Sequence, residues 1–125
     1  MTSAAPRPRR TTARSAVVDL AQARDARRLR DLADRCRAID EGARRSLSRL
    51  FQCGAIFSRH GARLGRELLL SHQHLLRAAV LVGQASECDE TDPQASDALF
   101  REATALVERS TQIIARCDAA CARSH

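Results

Sequence analysis

The chain has 125 residues, a formal net charge of +6 and an apolar content of 44%, which is enough for one domain with a single hydrophobic core. No run in it approaches the roughly 20 consecutive apolar residues that a membrane-spanning helix needs. The apolar residues are mainly Ala and Leu and only 2% of the chain is aromatic, a composition that favours helices over strands. Composition therefore excludes a membrane span and predicts an all-α protein.

The basic residues are all Arg and are unevenly distributed along the chain. Residues 1–18 have several arginines and no acid, residues 42–77 have seven arginines against Glu67 alone, and residues 78–125 have more acids than arginines. A chain without Lys is typical of a GC-rich genome, so we expect a bacterial source. The number of arginines is therefore weak evidence for a function that requires them.

Residues 1–18 contain Pro6, Pro8, arginines and small polar residues, with almost nothing to bury. Such a segment cannot offset the entropy lost on ordering, so we predict a disordered tail there and a helical bundle over residues 19–125. Arg9 and Arg10 are not followed by the apolar stretch of an export signal. We therefore expect a cytoplasmic protein whose five cysteines are reduced.

The first helix is predicted by apolar and small residues that recur every three or four positions from Leu29 to Phe57. We expect this helix to end near His60 and Gly61, since glycine adopts the left-handed conformation of a helix C-cap. The stripe consists of Leu29, Leu32, Cys36, Ile39, Ala43, Ser46, Leu50, Cys53 and Phe57.

Two further helices are predicted after Gly61. The second ends before an acidic loop at residues 87–92, and the third begins at Thr91 or Asp92, either of which can cap a helix whose first turn holds Pro93. The second helix is marked by Leu64, Leu68, Leu75, Ala79 and Val82, and the third by Leu99, Ala103, Leu106, Ser110, Ile113, Cys117 and Ala120.

These helices predict a three-helix antiparallel bundle, and two alternatives stay open. A break near Gly42 gives a four-helix bundle, and an unbroken helix through Gly61 gives a rod that must dimerise to bury its seam. Many seam positions are Ala, Ser or Cys, so each helix buries little apolar area. A thin core favours self-association.

Catalytic motifs are absent from the sequence, which has neither G-x-S-x-G nor a glycine-rich phosphate loop. We predict no enzyme activity, no catalytic residues and no cofactor. Cys117 and Cys121 are four residues apart and supply at most half of a zinc or copper(I) site, with no second pair to complete it. We therefore predict structural cysteines and no metal.

Binding is the remaining class of function. The first hypothesis is a helical interaction module (a scaffold, adaptor or small assembly subunit) whose partner is another helical protein or a second copy of itself, as a homo-oligomer. The seam residues assigned to this interface are Leu29, Leu32, Ile39, Leu50, Phe57, Leu99, Leu106 and Ile113.

The alternative hypothesis is a sequence-nonspecific nucleic-acid-binding protein. Arginines neutralise phosphates without reading the bases, and such binding weakens steeply with salt. The arginines assigned to this surface lie in the tail and in the basic 42–77 region: Arg7, Arg9, Arg10, Arg14, Arg44, Arg45, Arg49, Arg59, Arg63 and Arg66.

Overall fold

The computed structural model describes residues 12–123, which form three long helices: α1 (Thr12–Gln52), α2 (Arg59–Cys88) and α3 (Pro93–Arg123). A short 3-10 turn, Ala55–Phe57, connects α1 to α2. No strand occurs within residues 12–123. The predicted all-α, three-helix architecture is therefore confirmed.

Ion pairs between the helices establish their relative directions. Pairs between α2 and α3 join residues that occur in opposite order along the two helices, so these helices are antiparallel, whereas α1 and α3 run the same way. The pairs are Arg77–Glu102 (3.2 Å) and Arg116–Glu67 (3.7 Å) for α2 with α3, and Arg28–Asp97 (3.2 Å) and Arg49–Asp118 (2.7 Å) for α1 with α3.

The turn between α1 and α2 corrects the predicted end of the first helix. The residue in the left-handed conformation is Gly54, with a φ of 79°, and Gly61 lies in the first turn of α2. Ser58 is the N-cap of α2, since its side chain accepts a hydrogen bond from the Gly61 amide at 2.9 Å. Phe57 therefore leaves the helical stripe, and its side chain is 84% exposed.

Helix α1 is continuous through Gly42, so the four-helix bundle is wrong. The unbroken rod is also wrong, because α1 ends at Gln52 and the 3-10 turn separates it from α2. The helix also includes residues 12–18, the last part of the predicted disordered tail. Adding residues to an existing helix costs far less than starting one, so the chain can extend α1 towards its N-terminus without burying these residues. Among the α1 side chains that the structure describes, burial begins at Leu29. Residues 1–11 of the predicted tail lie outside the described residues.

The start of α3 agrees with its predicted cap. Pro93 is the first helical residue, and the carboxylate of Asp92 accepts a hydrogen bond from the Ala95 amide at 3.1 Å. This bond satisfies one of the amides that a helix leaves without an intrahelical partner at its N-terminus.

The core consists of two apolar clusters separated by small polar residues. Ser71 on α2 and Ser110 on α3 are both fully buried and fall between the clusters on their helices. The first cluster contains Leu29, Leu32, Cys36, Leu75, Ala78, Leu81, Val82, Ala85, Ala103 and Val107, and the second contains Ala43, Leu50, Leu64, Leu68, Ile113, Cys117, Ala120 and Cys121. Many of these side chains are small, as the sequence predicts.

Ser110→Ala is expected to stabilise the protein by about 1 kcal/mol, because the buried Ser110 Oγ has no hydrogen-bond partner. Ser46→Ala is the control with the opposite sign, since the equally buried Ser46 Oγ donates to the carboxylate of Asp118 at 3.1 Å. Urea unfolding followed by circular dichroism measures both changes. A similar loss of stability in the two variants would contradict the unpaired state of the Ser110 hydroxyl.

Candidate interaction surfaces

Helix α2 carries a second apolar face that the bundle does not cover. Leu69, Leu76 and Val80 are 61%, 56% and 57% exposed. Together with Gln73 and Gly83 they recur in steps of four and three residues, the spacing of a coiled-coil seam. We call Leu69, Gln73, Leu76, Val80 and Gly83 the α2 stripe. An exposed apolar stripe of this length on a small protein is typical of an interaction site.

The α2 stripe is exposed because of its angular position on the helix. Residues on an α-helix are separated by about 100°, which places the stripe roughly 120° from the face formed by Leu64, Leu68 and Leu75. That face is buried against α1 and α3. Two neighbouring helices leave the second face of α2 uncovered.

The α2 stripe borders α1. A groove beside the stripe is lined by residues of both helices, including Leu47 from α1 and Leu69 from α2. His72 and Asp40 join the two helices at this edge, with 2.8 Å between the His72 Nδ1 and the Asp40 carboxylate. The α2 stripe therefore lies beside the contact between α1 and α2.

The seam residues assigned to an interface lie mostly inside the bundle. Phe57 is the exception, because it lies in the exposed turn between α1 and α2. The others pack in the two apolar clusters: Leu29, Leu32, Leu50 and Ile113 are buried, and Ile39, Leu99 and Leu106 are half-buried. These side chains hold the three helices together and are therefore not available to bind a partner, unlike the α2 stripe.

The predicted basic surface divides into two groups. On α1, Arg44, Arg45 and Arg49 line an open depression. Two of them are neutralised, since Arg44 pairs with Asp40 at 3.1 Å and Arg49 pairs with Asp118 at 2.7 Å. The first group therefore has less free charge than the sequence suggests.

The second basic group is Arg59, Arg63 and Arg66 in the first turns of α2, all of them exposed. Within the described part of the chain, none of these three has an ion-pair partner. Arg14 lies in α1, whereas the tail residues Arg7, Arg9 and Arg10 lie outside the described residues.

The other end of α2 is acidic. Glu87 lies in the last turn of the helix, and Asp89 and Glu90 follow in the turn to α3. Glu87 and Glu90 are exposed, and the described residues provide no cation paired with either. Helix α2 therefore has a basic beginning, an exposed apolar middle and an acidic end.

Cys36, Cys88, Cys117 and Cys121 are free thiols. Cys117 and Cys121 are buried in the second apolar cluster, and the Cys53 thiol hydrogen-bonds that of Cys121. Burial and this contact raise the pKa of Cys121. Among residues 12–123, no three His, Cys, Asp or Glu side chains are grouped closely enough to hold a metal ion.

The Cys117 thiol is expected to react slowly in the folded protein. Burial, reinforced by the negative charge of Asp118, raises its pKa from 9.0 to about 11. At pH 8 this lowers the thiolate fraction about a hundredfold, and the thiolate is the nucleophile. Labelling with iodoacetamide, located by mass spectrometry, should be at least about a hundredfold slower at Cys117 in the folded protein than in urea. Equal rates would contradict this environment.

The same shift gives stability a pH dependence of known sign. Because the native state holds the Cys117 proton more tightly, its contribution to stability is full below pH 9 and is lost as the pH rises towards 11. The Cys117→Ala variant should lose part of this decline in urea unfolding measured at pH 8 and at pH 10.5.

Comparison with known proteins gives no indication of function for this chain. The chain matches no protein-family model, and searches of curated proteins and of solved structures find no significant match. Within residues 12–123, no helix is long and apolar enough to cross a membrane. Function is therefore inferred from the apolar and charged surfaces of α2.

Proposed function

We propose that this protein is a non-catalytic helical interaction module, which associates through the exposed face of α2 with a helical protein or with a second copy of itself. The α2 stripe carries the proposal, because Leu69, Leu76 and Val80 form a seam with coiled-coil spacing that no helix of the bundle covers. Helices bind such seams with apolar residues at the same spacing. A scaffold, adaptor or assembly subunit can bind its partner through a surface of this kind.

Two features of the chain support a non-catalytic role in the cytoplasm. The thiol pKa values of Cys117 and Cys121 are raised, which makes both groups poor nucleophiles near neutral pH. Cys36, Cys88, Cys117 and Cys121 are free thiols, as is usual in proteins of a reducing compartment.

The test compares the complete chain with two matched variants. Leu76→Asp places a charge in the α2 stripe, and Leu20→Asp places the same charge at a leucine of α1 that is 63% exposed. Wild type and Leu20→Asp should bind the same helical protein, or a second copy, and Leu76→Asp should not. To show that the binding is direct, the complex must form again when this protein is mixed with the purified partner. The proposal fails if neither a second copy nor a purified partner binds in a way that depends on Leu76.

A second candidate function, nonspecific nucleic-acid binding, is favoured by the unpaired arginines at the start of α2. Arg59, Arg63 and Arg66 are free to contact phosphates. Titration of labelled duplex DNA at low and at physiological salt tests this candidate. Tight, salt-sensitive binding that is lost in the Arg59→Gln/Arg63→Gln/Arg66→Gln variant would favour it, and no binding at physiological salt would eliminate it.

A further inference from the structure

We infer that the α2 stripe is covered by a second copy of this chain, with the two α2 helices antiparallel about a two-fold axis near residues 74 and 75. The inference rests on the proposed function and names the occupant of the same surface. It follows from the spacing of the stripe, from the distribution of charge along α2 and from the open space at Gly83.

The spacing of the stripe defines the register. In an antiparallel coiled coil, the a positions of one helix face the d positions of the other. Here Gln73 and Val80 are a positions, and Leu69, Leu76 and Gly83 are d positions. With the axis between residues 74 and 75, Leu69 faces Val80 of the second copy and Gln73 faces Leu76 of the second copy. The two-fold axis repeats both contacts, so every exposed apolar residue of the stripe is buried. A shift of one heptad would place Leu76 opposite Arg66, or Leu69 opposite Glu87, of the second copy, and so bury a charge against a leucine.

Charge selects the antiparallel orientation. The start of α2 carries the unpaired Arg59, Arg63 and Arg66, and its end carries Glu87, followed by Glu90. Antiparallel packing brings each basic end to the acidic end of the other copy, whereas parallel packing would place like charges together. In the inferred register, Arg66 faces Gly83 of the second copy and lies one turn from its Glu87, within reach of an ion pair.

Gly83 allows the helices to approach at each end of the seam. A Cβ at this position would have no neighbour within 4 Å, so the space above Gly83 is open. The Arg66 side chain of the second copy can lie across it. From Arg66 to Glu87 the seam extends about 32 Å, which is three heptads and the length of a short stable coiled coil.

The first test is sedimentation equilibrium of the complete chain from about 1 µM to about 1 mM, a range that includes most weak dimers. Wild type and Leu20→Asp should both sediment as dimers at the upper concentrations, and Leu76→Asp should sediment as a monomer with unchanged circular dichroism. A monomeric wild type overturns the inference, and so does a Leu76→Asp variant that dimerises like the wild type.

The second test reverses charges at the ends of the seam, where neither side chain contributes to the core. Arg66→Glu and Glu87→Arg should each raise the dissociation constant of the dimer about tenfold. Each substitution creates a repulsive contact that the two-fold axis makes occur twice. The double variant Arg66→Glu/Glu87→Arg should restore the wild-type dissociation constant. Single variants without effect, or a double variant that is weaker than both, overturn the antiparallel register.

Failure of this inference is distinguishable from failure of the proposed function. A monomeric wild type that still binds a purified helical protein, with the complex lost in Leu76→Asp, overturns the second copy as occupant and leaves the α2 stripe as the binding surface. A monomeric wild type that binds no purified protein in this way overturns both.

Discussion

Gly61→Ala is expected to lower the free energy of unfolding by about 3 kcal/mol or more, a large fraction of the stability of a domain of this size. A Cβ at Gly61 would overlap the backbone carbonyl of Ala55, in the 3-10 turn that packs on the start of α2. That carbonyl is held in place by the Ser58 amide at 3.0 Å and the Ser58 hydroxyl at 2.7 Å. The turn cannot move without losing the cap of α2.

The control for Gly61 is the same substitution on α1. A Cβ at Gly42 meets the Ile114 Cδ1 at 3.6 Å, an ordinary van der Waals contact. Alanine in a helix interior is more stable than glycine, so Gly42→Ala should raise the free energy of unfolding by about 0.5–1 kcal/mol. Urea unfolding by circular dichroism measures both variants. A loss of less than about 1 kcal/mol in Gly61→Ala would contradict the close packing of this turn.

Leu50→Ala is expected to destabilise the protein by about 2–4 kcal/mol. Leu50 is fully buried in the second apolar cluster, where its neighbours include Leu64 and Ile113. Most other members of this cluster are small or lie on other helices, so little can move into the space that the leucine leaves. The loss therefore combines the transfer of the side chain to water with the cavity that remains.

Leu20→Ala on the same helix is the matched control for Leu50→Ala. Because Leu20 is exposed, its truncation should change the free energy of unfolding by no more than about 0.5 kcal/mol. Urea unfolding of the two variants beside the wild type gives both values. Similar losses at positions 20 and 50 would show that α1 does not pack on the bundle as described.

The sequence predicts the helices better than the turn between the first two. The heptad spacing from Leu29 to Leu50 and the cap at Asp92 both arise from local chemistry, and the structure confirms both. The spacing also continued to Phe57, and two glycines, Gly54 and Gly61, could each have ended the helix. The choice of Gly54 depends on the 3-10 turn packing against Gly61, a contact between segments that no local pattern reveals.

The candidate site was predicted less well than the fold. The spacing of Leu69, Leu76 and Val80 is visible in the sequence, yet the same helix contains a second set at equivalent spacing, Leu64, Leu68 and Leu75 among them. Periodicity alone does not show which of two apolar faces enters the core. The structure assigns the second set to the core and leaves the first exposed.

The structure shows which of the unevenly distributed charges are paired with each other and which are not. Part of the basic 42–77 region is neutralised by acids of the same protein at the surface of the bundle, as Arg49 is by Asp118. Three arginines of this region without an ion-pair partner among the described residues, Arg59, Arg63 and Arg66, lie at the start of α2, and the acids Glu87 and Glu90 lie at its end and just after it. This distribution is complementary to itself when two α2 helices pack antiparallel.

Thermal unfolding at two protein concentrations tests most directly whether two copies share the α2 stripe. A dimer is stabilised by mass action, so the Tm of the wild type should rise between about 5 µM and about 500 µM. The Tm of Leu76→Asp should not depend on concentration and should be close to that of the wild type at the lower concentration. A wild-type Tm that does not change with concentration would contradict the dimer.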